Sequence, residues 1–336
     1  MKKNFFLMAV TSLFCTSILF TSCNKDDDPI TDTNTDPNSN LTLNISGLKD
    51  LGPNFRYQGW ILVKYDVPIS AGSFTVNASG VMSQTSFPML KSNLAEAKRF
   101  IITIEPFPDT NTASSNTIIM TGDFLNNSAA LTFRSGEYIK DGSYLGGFVG
   151  TAGVTYQSSA GDYKLATRTD GPNTNEKSGI WFASNLGTPF PNLSFSSGGL
   201  RLPQITVYNE TIGWKYESWI EINGKLLSLG KFDGNILTDV GGISGSDNFS
   251  GFSGTQWAPK VPGEDFLLNA PTGLTFPLDL SGAKVYITSE PNPDTSPDPF
   301  FVKILSATIP TNAVAETVYS MTNIFNTNAP TGTAVK

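Results

Sequence analysis

Two glutamates, each followed by a proline, are the residues whose spacing first suggests chemistry. Glu105 begins the segment Glu-Pro-Phe-Pro-Asp-Thr, and Glu290 begins Glu-Pro-Asn-Pro-Asp-Thr. Two carboxylates about 5–10 Å apart can cleave a glycosidic bond, one as the acid and the other as base or nucleophile. The alternative is structural, since a carboxylate at a strand end can bond the backbone of a turn. Equivalent positions in two repeats should lie far apart, so we favour the structural role and predict no catalytic residue.

Two tryptophans at corresponding positions, Trp60 and Trp219, are candidate ligand contacts. An exposed indole can stack on the face of a sugar ring. Aromatic side chains in strands more often pack in a core or on a sheet face, and we favour that role.

The segment 239–254 contains five glycines and the oxygen-bearing side chains of Asp239, Asp247 and Asn248. Such oxygens could bind calcium, but the acidic residues lack the regular spacing of a calcium-binding loop. We therefore predict no metal and no cofactor. The three residues remain candidate ligand contacts, because long loops often carry binding functions.

The composition excludes several kinds of catalytic site. The 336 residues include no histidine and two cysteines, with 22 Lys and Arg against 29 Asp and Glu. Without histidine there is no Ser-His-Asp or Cys-His catalysis and no histidine-ligated zinc. The acidic balance also lacks the positive footprint of a nucleic-acid-binding protein, so we predict no nucleic-acid partner.

The elements that must position these residues occur twice in the sequence. The segment 55–74 aligns with 214–232 after a single gap, and the two Glu-Pro motifs follow in the same order. A tyrosine, a glycine and a glutamate define each copy: Tyr57, Gly72 and Glu105 in the first, Tyr216, Gly230 and Glu290 in the second. This correspondence indicates a duplicated module. In the second copy Asn223-Gly224, between two apolar runs, predicts a β-hairpin.

We therefore expect an all-β protein with two β-sandwich-like modules in tandem after a flexible acidic tether. The predicted divisions are a signal peptide at 1–22, an acylated cysteine with a disordered tether at 23–40, a first β module at 41–133, a Gly/Ser-rich bridging β segment at 134–203, a second β module at 204–310, and a C-terminal strand and tail at 311–336. The tether is predicted from composition, since polar residues alone cannot offset the entropy lost on ordering.

The N-terminus predicts export and a lipid anchor. Two lysines precede the apolar run 5–20, which has the length of a signal peptide rather than of a membrane span. The run ends in Phe-Thr-Ser-Cys, which resembles a bacterial lipoprotein box and implies cleavage before Cys23 and acylation of Cys23, including palmitate. Stable attachment to the membrane needs more than one acyl chain. The only other cysteine, Cys15, is removed with the signal peptide, so no disulfide is expected.

The segment after Cys23, Asn-Lys-Asp-Asp-Asp, resembles the signal that sends lipoproteins of Bacteroidetes-type bacteria to the cell surface. We therefore expect a protein anchored in the outer membrane and exposed at the cell surface. A position on the periplasmic leaflet remains the alternative.

The repeated pattern resembles the extracytoplasmic domain of the anti-sigma-K factor family. The pattern is Tyr-x-x-Trp, then Pro-x-Ser-x-Gly-x-Phe, then Glu-Pro; it occurs within 57–106 and again within 216–291, where Leu226 replaces the proline. The resemblance implies a shared outer module. Members of the family also have a membrane span and a cytoplasmic sigma-binding domain. We expect neither in this chain, and therefore no cytoplasmic sigma factor as a partner and no anti-sigma activity.

The function expected from these observations is that of a non-catalytic, lipid-anchored envelope protein, in binding, adhesion or sensing of an envelope or extracellular ligand. One alternative is a glycan-processing enzyme that uses carboxylates alone. Another is an architectural component of the envelope.

Overall fold

The computed structural model describes residues 36–134, 138–140, 143–145, 155–167, 175–182, 199–203, 205, 213–232, 251–252, 262–294 and 296–336. Strands dominate its regular structure, which confirms the predicted all-β class. The strands are β1 Asn38–Ser46, β2 Phe55–Leu62, β3 Pro68–Phe74, β4 Ser86–Leu90, β5 Arg99–Pro106, β6 Ile118–Leu125, β7 Ser128–Phe133, β8 Tyr138–Lys140, β9 Ser143–Leu145, β10 Asp162–Leu165, β11 Gly179–Trp181, β12 Trp214–Ile222, β13 Lys225–Phe232, β14 Gly263–Asp265, β15 Lys284–Pro291, β16 Lys303–Thr308, β17 Val318–Ser320, β18 Thr322–Asn323 and β19 Thr331–Val335. The α-helices are α1 Lys91–Glu96 and α2 Phe325–Asn328. Among the described residues, no helix has the length and apolar character needed to cross a membrane.

The largest sheet has eight antiparallel strands in the order β3-β2-β5-β6-β7-β19-β1-β4. The last strand, β19, lies between β7 and β1, with Val335 opposite Thr42 on one side and Ser128 on the other. The two edge strands contact each other, since the ring of Phe74 in β3 lies edge-on to Phe87 in β4 with centroids 6.0 Å apart. The sheet therefore curls around its apolar interior.

Three smaller antiparallel sheets account for the remaining strands. One has the order β13-β12-β15-β16-β18, a second β14-β11-β10-β17, and a third pairs β8 with β9. The described residues of the segment 134–203 thus form four strands, β8 to β11. Residues 311–336, for which we expected one strand and a tail, contain β17, β18, α2 and β19 and join three of the four sheets.

The two sequence repeats have the same local topology. The first contributes β3-β2-β5-β6 and the second β13-β12-β15-β16 in the same order. In both hairpins the register shifts just before the tryptophan, between Gly59 and Trp60 and between Glu217 and Trp219. The repeat-defining glycines have positive φ, +134° at Gly72 and +101° at Gly230. The sequence correspondence therefore extends to pairing and backbone conformation.

The turns of the two hairpins differ. Asn223 and Gly224 join β12 to β13 with φ of +51° and +70°, which confirms the predicted hairpin. Asparagine and glycine adopt these left-handed conformations at little cost. In the first repeat, Tyr65 and Asp66 have φ of +63° and +57°. The first turn therefore carries backbone strain that the second avoids.

One apolar core runs through both repeats. Trp214 of β12 lies edge-on to Phe133 of β7, with centroids 5.2 Å apart, and to Phe300, at 5.7 Å. Its indole Nε1 donates to the carbonyl oxygen of Ile118 in β6, over 2.9 Å. Burying each large apolar side chain of this kind contributes about 1.5–3 kcal/mol. The strands of the two repeats therefore share a single interior.

Candidate functional site

A buried hydrogen-bonded network links the tryptophan and the glutamate of the first repeat. The Trp60 indole donates Nε1–H to Thr103 Oγ1 over 2.8 Å. The Thr103 hydroxyl donates to Glu105 Oε1, which also accepts the backbone N–H of Ser115 over 2.9 Å. Thr103 and Glu105 lie on the same face of β5 because side chains alternate along a strand. The network therefore joins β2, β5 and the following turn.

The second repeat contains the same network. Trp219 Nε1 donates to Thr288 Oγ1 over 3.0 Å, and the Thr288 hydroxyl donates to Glu290 Oε1. Both oxygens of Glu290 accept the backbone N–H of Phe300, over 2.9 and 3.1 Å. Phe300 and Ser115 each follow their glutamate by ten residues. These networks were not predicted, although the aligned Trp, Thr and Glu of the two copies could have indicated them.

The burial of the two tryptophans corrects their candidacy as ligand contacts. Trp60 and Trp219 are each 3% exposed, and each indole N–H is already bonded to a threonine. Neither ring offers a face on which a sugar could stack. Both tryptophans pack between strands, which is the alternative that the sequence favoured.

The two glutamates belong to different sheets, and each bonds the turn of its own repeat. Burial raises the pKa of Glu290 to about 8, and the nearby Glu217 and Asp294 carboxylates add to this rise. Burial also raises the pKa of Glu105, against the hydrogen bonds from Thr103 and Ser115. Each carboxyl group holds a turn, which is the structural role described above.

The tyrosine of each repeat also anchors a neighbouring segment. The Tyr57 hydroxyl donates to the carbonyl oxygen of Lys49, and that of Tyr216 to the carbonyl oxygen of Pro203, both over 2.8 Å. Both tyrosines are fully buried, and Tyr57 stacks on Phe74 at 5.4 Å. The repeat-defining tyrosines and glutamates therefore fix the segments on either side of the paired strands.

The second repeat has a charged group that the first lacks. Glu217 is 4% exposed and its Oε1 accepts a hydrogen bond from Ser228. Lys231 Nζ lies 4.0 Å from Glu217 Oε2 and 2.6 Å from Asp294 Oδ2. Burial raises the pKa of Glu217, whereas Lys231 lowers it.

At the position equivalent to Glu217, the first repeat has Gln58, whose Nε2 donates to Ser70 Oγ over 3.1 Å. The sequence reasoning did not single out Glu217. The signal for it was the replacement of glutamine by glutamate between the copies.

Four candidates lie outside the described residues: Cys23, Asp239, Asp247 and Asn248. Within the described ranges, no group of three or more histidine, cysteine, aspartate or glutamate side chains is placed to hold a metal ion.

The fold and these networks define an all-β scaffold with a duplicated four-strand unit. No protein-family model and no curated protein matches this sequence.

Proposed function

We propose that this chain is a non-catalytic, lipid-anchored protein of the cell envelope that acts in binding, adhesion or sensing. The observation that carries the proposal is the turn between β2 and β3. Tyr65 is 76% exposed, and it and Asp66 both have left-handed backbone conformations. Such a conformation costs a residue such as tyrosine about 1–2 kcal/mol, whereas asparagine and aspartate adopt it more readily. Strain of this kind concentrates at functional sites, where a surrounding structure maintains it.

The side chains of this turn suit a contact surface. Lys64 Nζ lies 5.0 Å from the centre of the Tyr65 ring, and Asp66 and Val67 are exposed beside it. Tyrosine is enriched at protein interfaces, because it combines a large apolar ring with a polar tip. The corresponding Asn223-Gly224 turn has neither strain nor an aromatic ring. The first repeat therefore supplies the contact, and the second supplies support for the shared core.

The anchor completes the proposal. Acylation at Cys23 would attach the chain to the outer membrane, and the following Lys-Asp-Asp-Asp segment supports display at the cell surface. The resemblance to the anti-sigma-K extracytoplasmic domain then reflects a shared outer module without anti-sigma activity.

The test replaces the strained turn by the sequence of the relaxed one. Tyr65→Asn with Asp66→Gly removes the ring and keeps residue types that adopt left-handed backbone. Intact cells that express either this variant or the natural chain are treated with a cell-impermeant crosslinker, and complexes are recovered through the protein. We expect the double variant to lose the crosslinked complex.

The matched control is Val81→Asn, which removes another exposed apolar side chain from the loop after β3. It should retain the complex. An undiminished complex in the double variant would contradict the proposed contact. Altered cell shape on deletion of the gene, fully restored by the double variant, would favour the architectural alternative.

A further inference from the structure

The two repeats meet at two corresponding places. At the first, Gly213, just before β12, donates its backbone N–H to the carbonyl oxygen of Asn116, in the loop after β5, over 3.3 Å. At the second, Asn54, just before β2, and Phe301, in the loop after β15, line one cavity. The segment before β12 thus lies against the loop after β5. The segment before β2 correspondingly lies against the loop after β15.

Backbone hydrogen bonds establish this equivalence. The carbonyl oxygens of Asn54 and Gly213 accept the N–H groups of Phe107 and Asn292, two residues after each repeat's glutamate, over 2.7 and 2.8 Å. Asn116 directly follows Ser115, whose N–H bonds Glu105. In the same way, Phe301 directly follows Phe300, whose N–H bonds Glu290. The two contacts are therefore the same junction formed twice.

One junction is closed and the other is open. A Cβ at Gly213 would lie 2.5 Å from the backbone of Asn116 and Thr117, so the first junction has no room even for a methyl group. The second forms a cavity of about 360 Å³ that is open to solvent on one side. We name it the inter-repeat cavity, lined by residues 49–54, Ser296 and 298–301. Ligand pockets in proteins have volumes of about 300–1,000 Å³.

Both walls of the inter-repeat cavity are fixed by residues that define the repeats. Tyr57 bonds the carbonyl oxygen of Lys49 in one wall, and Glu290 bonds the N–H of Phe300 in the other. The Phe300 and Phe301 rings lie 4.3 Å apart. A site held in place before binding loses less entropy when the ligand arrives.

The lining combines polar acceptors with apolar surface. Asp50, Asn54 and Asp298 supply carboxylate and amide oxygens, whereas Leu51 and Phe301 are half-buried apolar side chains. The two carboxylates outnumber the single cation of the lining, Lys49, so the net charge of the cavity disfavours an anion. A wholly apolar molecule would desolvate the carboxylates without replacing their hydrogen bonds. A neutral molecule with many hydroxyl donors and one apolar ring face satisfies both parts of the lining.

We propose that the inter-repeat cavity binds a neutral saccharide unit, with its hydroxyl groups donating to Asp50 and Asp298 and its apolar face against Phe301. The proposal rests on the function proposed above, a binding protein, and names the class of ligand for one of its sites. The Tyr65 turn is not part of the cavity lining, so the two sites can be tested separately.

The experiment uses the full chain in detergent. An array of neutral mono- to tetrasaccharides of glucose, galactose, mannose and N-acetylglucosamine identifies the binder, and calorimetry measures its affinity. Asn54→Trp fills the cavity and should weaken binding about tenfold or more. Asp50→Asn with Asp298→Asn retains the shape and should weaken binding about threefold or more.

The matched control is Asp109→Asn, an exposed carboxylate outside the cavity. Its Oδ1 accepts the backbone N–H of Asn111, a bond that the amide oxygen of asparagine can keep, so the affinity should equal that of the natural chain. Thermal unfolding shows whether each variant is folded. Absence of binding to every saccharide on the array would overturn the proposal, as would full affinity in Asn54→Trp or selective binding of amine-bearing probes. None of these results bears on the proposed envelope-binding function, which is tested separately by crosslinking of the Tyr65→Asn, Asp66→Gly variant.

Discussion

Glu290 accepts the backbone N–H of Phe300 with both carboxylate oxygens, over 2.9 and 3.1 Å. In the first repeat, Glu105 accepts the corresponding N–H of Ser115 with a single oxygen, over 2.9 Å. Equivalent buried carboxyl groups thus hold equivalent turns in the two repeats. In the second repeat that turn forms a wall of the inter-repeat cavity, which connects a residue of the repeat to a proposed site.

The stability of the fold should fall as pH rises from about 5 to 8. Because the pKa of Glu290 is raised to about 8, its carboxyl group stays protonated in the folded chain at pH values where the unfolded chain has already ionised it. The unfolded state then binds fewer protons than the folded state. The free energy of unfolding therefore falls, by about 1.4 kcal/mol per pH unit at most, until the pH reaches the pKa of Glu290 in the folded chain. Glu290→Gln should flatten this dependence, as measured by urea unfolding at several pH values.

A suitable control for the pH experiment is Glu221→Gln. Hydrogen bonds from Tyr286 and Lys284 lower the pKa of Glu221, so its contribution is lost only in acid. The slope between pH 5 and 8 should therefore match that of the natural chain. An unchanged slope in Glu290→Gln would show that the buried carboxyl group does not titrate in this range.

The threonine at the centre of each network should be needed for stability. Thr288→Val keeps the shape but removes the hydroxyl, which leaves the Trp219 N–H without its acceptor and Glu290 with the Phe300 N–H but without the hydroxyl donor. An unpaired buried polar group costs about 1–3 kcal/mol, and Thr103→Val should show a loss of similar size. Chemical unfolding measures both, with the exposed Thr322→Val as control. Losses no larger than that of the control would contradict the structural role of the networks.

Exchanging the turn sequences between the two repeats should change the stability of the fold in opposite directions. Tyr65→Asn with Asp66→Gly should stabilise the fold by about 1 kcal/mol, because asparagine and glycine adopt left-handed backbone more readily. Asn223→Tyr with Gly224→Asp should destabilise it by about 1–2 kcal/mol. Thermal unfolding of the two double variants is the measurement, and shifts of the same sign would refute the argument from strain.

The charged group of the second repeat can be replaced by its neutral counterpart. Glu217→Gln with Lys231→Ser reproduces Gln58 and Ser73 of the first repeat. Lys231→Ser alone leaves the buried Glu217 carboxylate without its nearby cation. It should therefore lower the free energy of unfolding by about 1 kcal/mol more than the same substitution does in the Glu217→Gln variant. A double-mutant cycle at pH 8 measures this difference. Additive effects would mean that Lys231 acts through Asp294 alone.

The proposed lipid anchor can be tested at a single residue. Cys23→Ala should abolish incorporation of an alkyne-labelled palmitate and release the protein from the membrane fraction, because no acyl chain can be attached. Cys15→Ala, in the expected signal peptide, should leave labelling unchanged. Labelling that survives Cys23→Ala would exclude the proposed anchor.

Much of the second repeat could be predicted from local sequence. The Asn223-Gly224 turn and the alternating apolar residues of β12 determine a hairpin with a known register. The partner of β1 could not be predicted in this way, because β19 comes from the opposite end of the folded chain. Such pairing depends on which edges remain open once the local hairpins have formed, and no short pattern encodes that.

The candidate site divides in the same way. The sequence favoured a turn-bonding role for Glu105 and Glu290 over a catalytic one, because a carboxylate at a strand end can bond the backbone of a turn. It could not identify the amides of Ser115 and Phe300 as their partners, since every residue other than proline has a backbone N–H and only the path of the loop selects one.

The amino-acid sequence by itself determined the all-β class, the duplication and the lack of histidine chemistry, because these depend on composition and on repeated local patterns. Only the tertiary structure decided that Trp60 and Trp219 are covered and that one junction between the repeats is closed while the other is open. Burial and cavities arise where segments distant in the sequence meet. The space at Asn54 and Phe301 depends on the packing of both repeats at once, which neither repeat's sequence specifies alone.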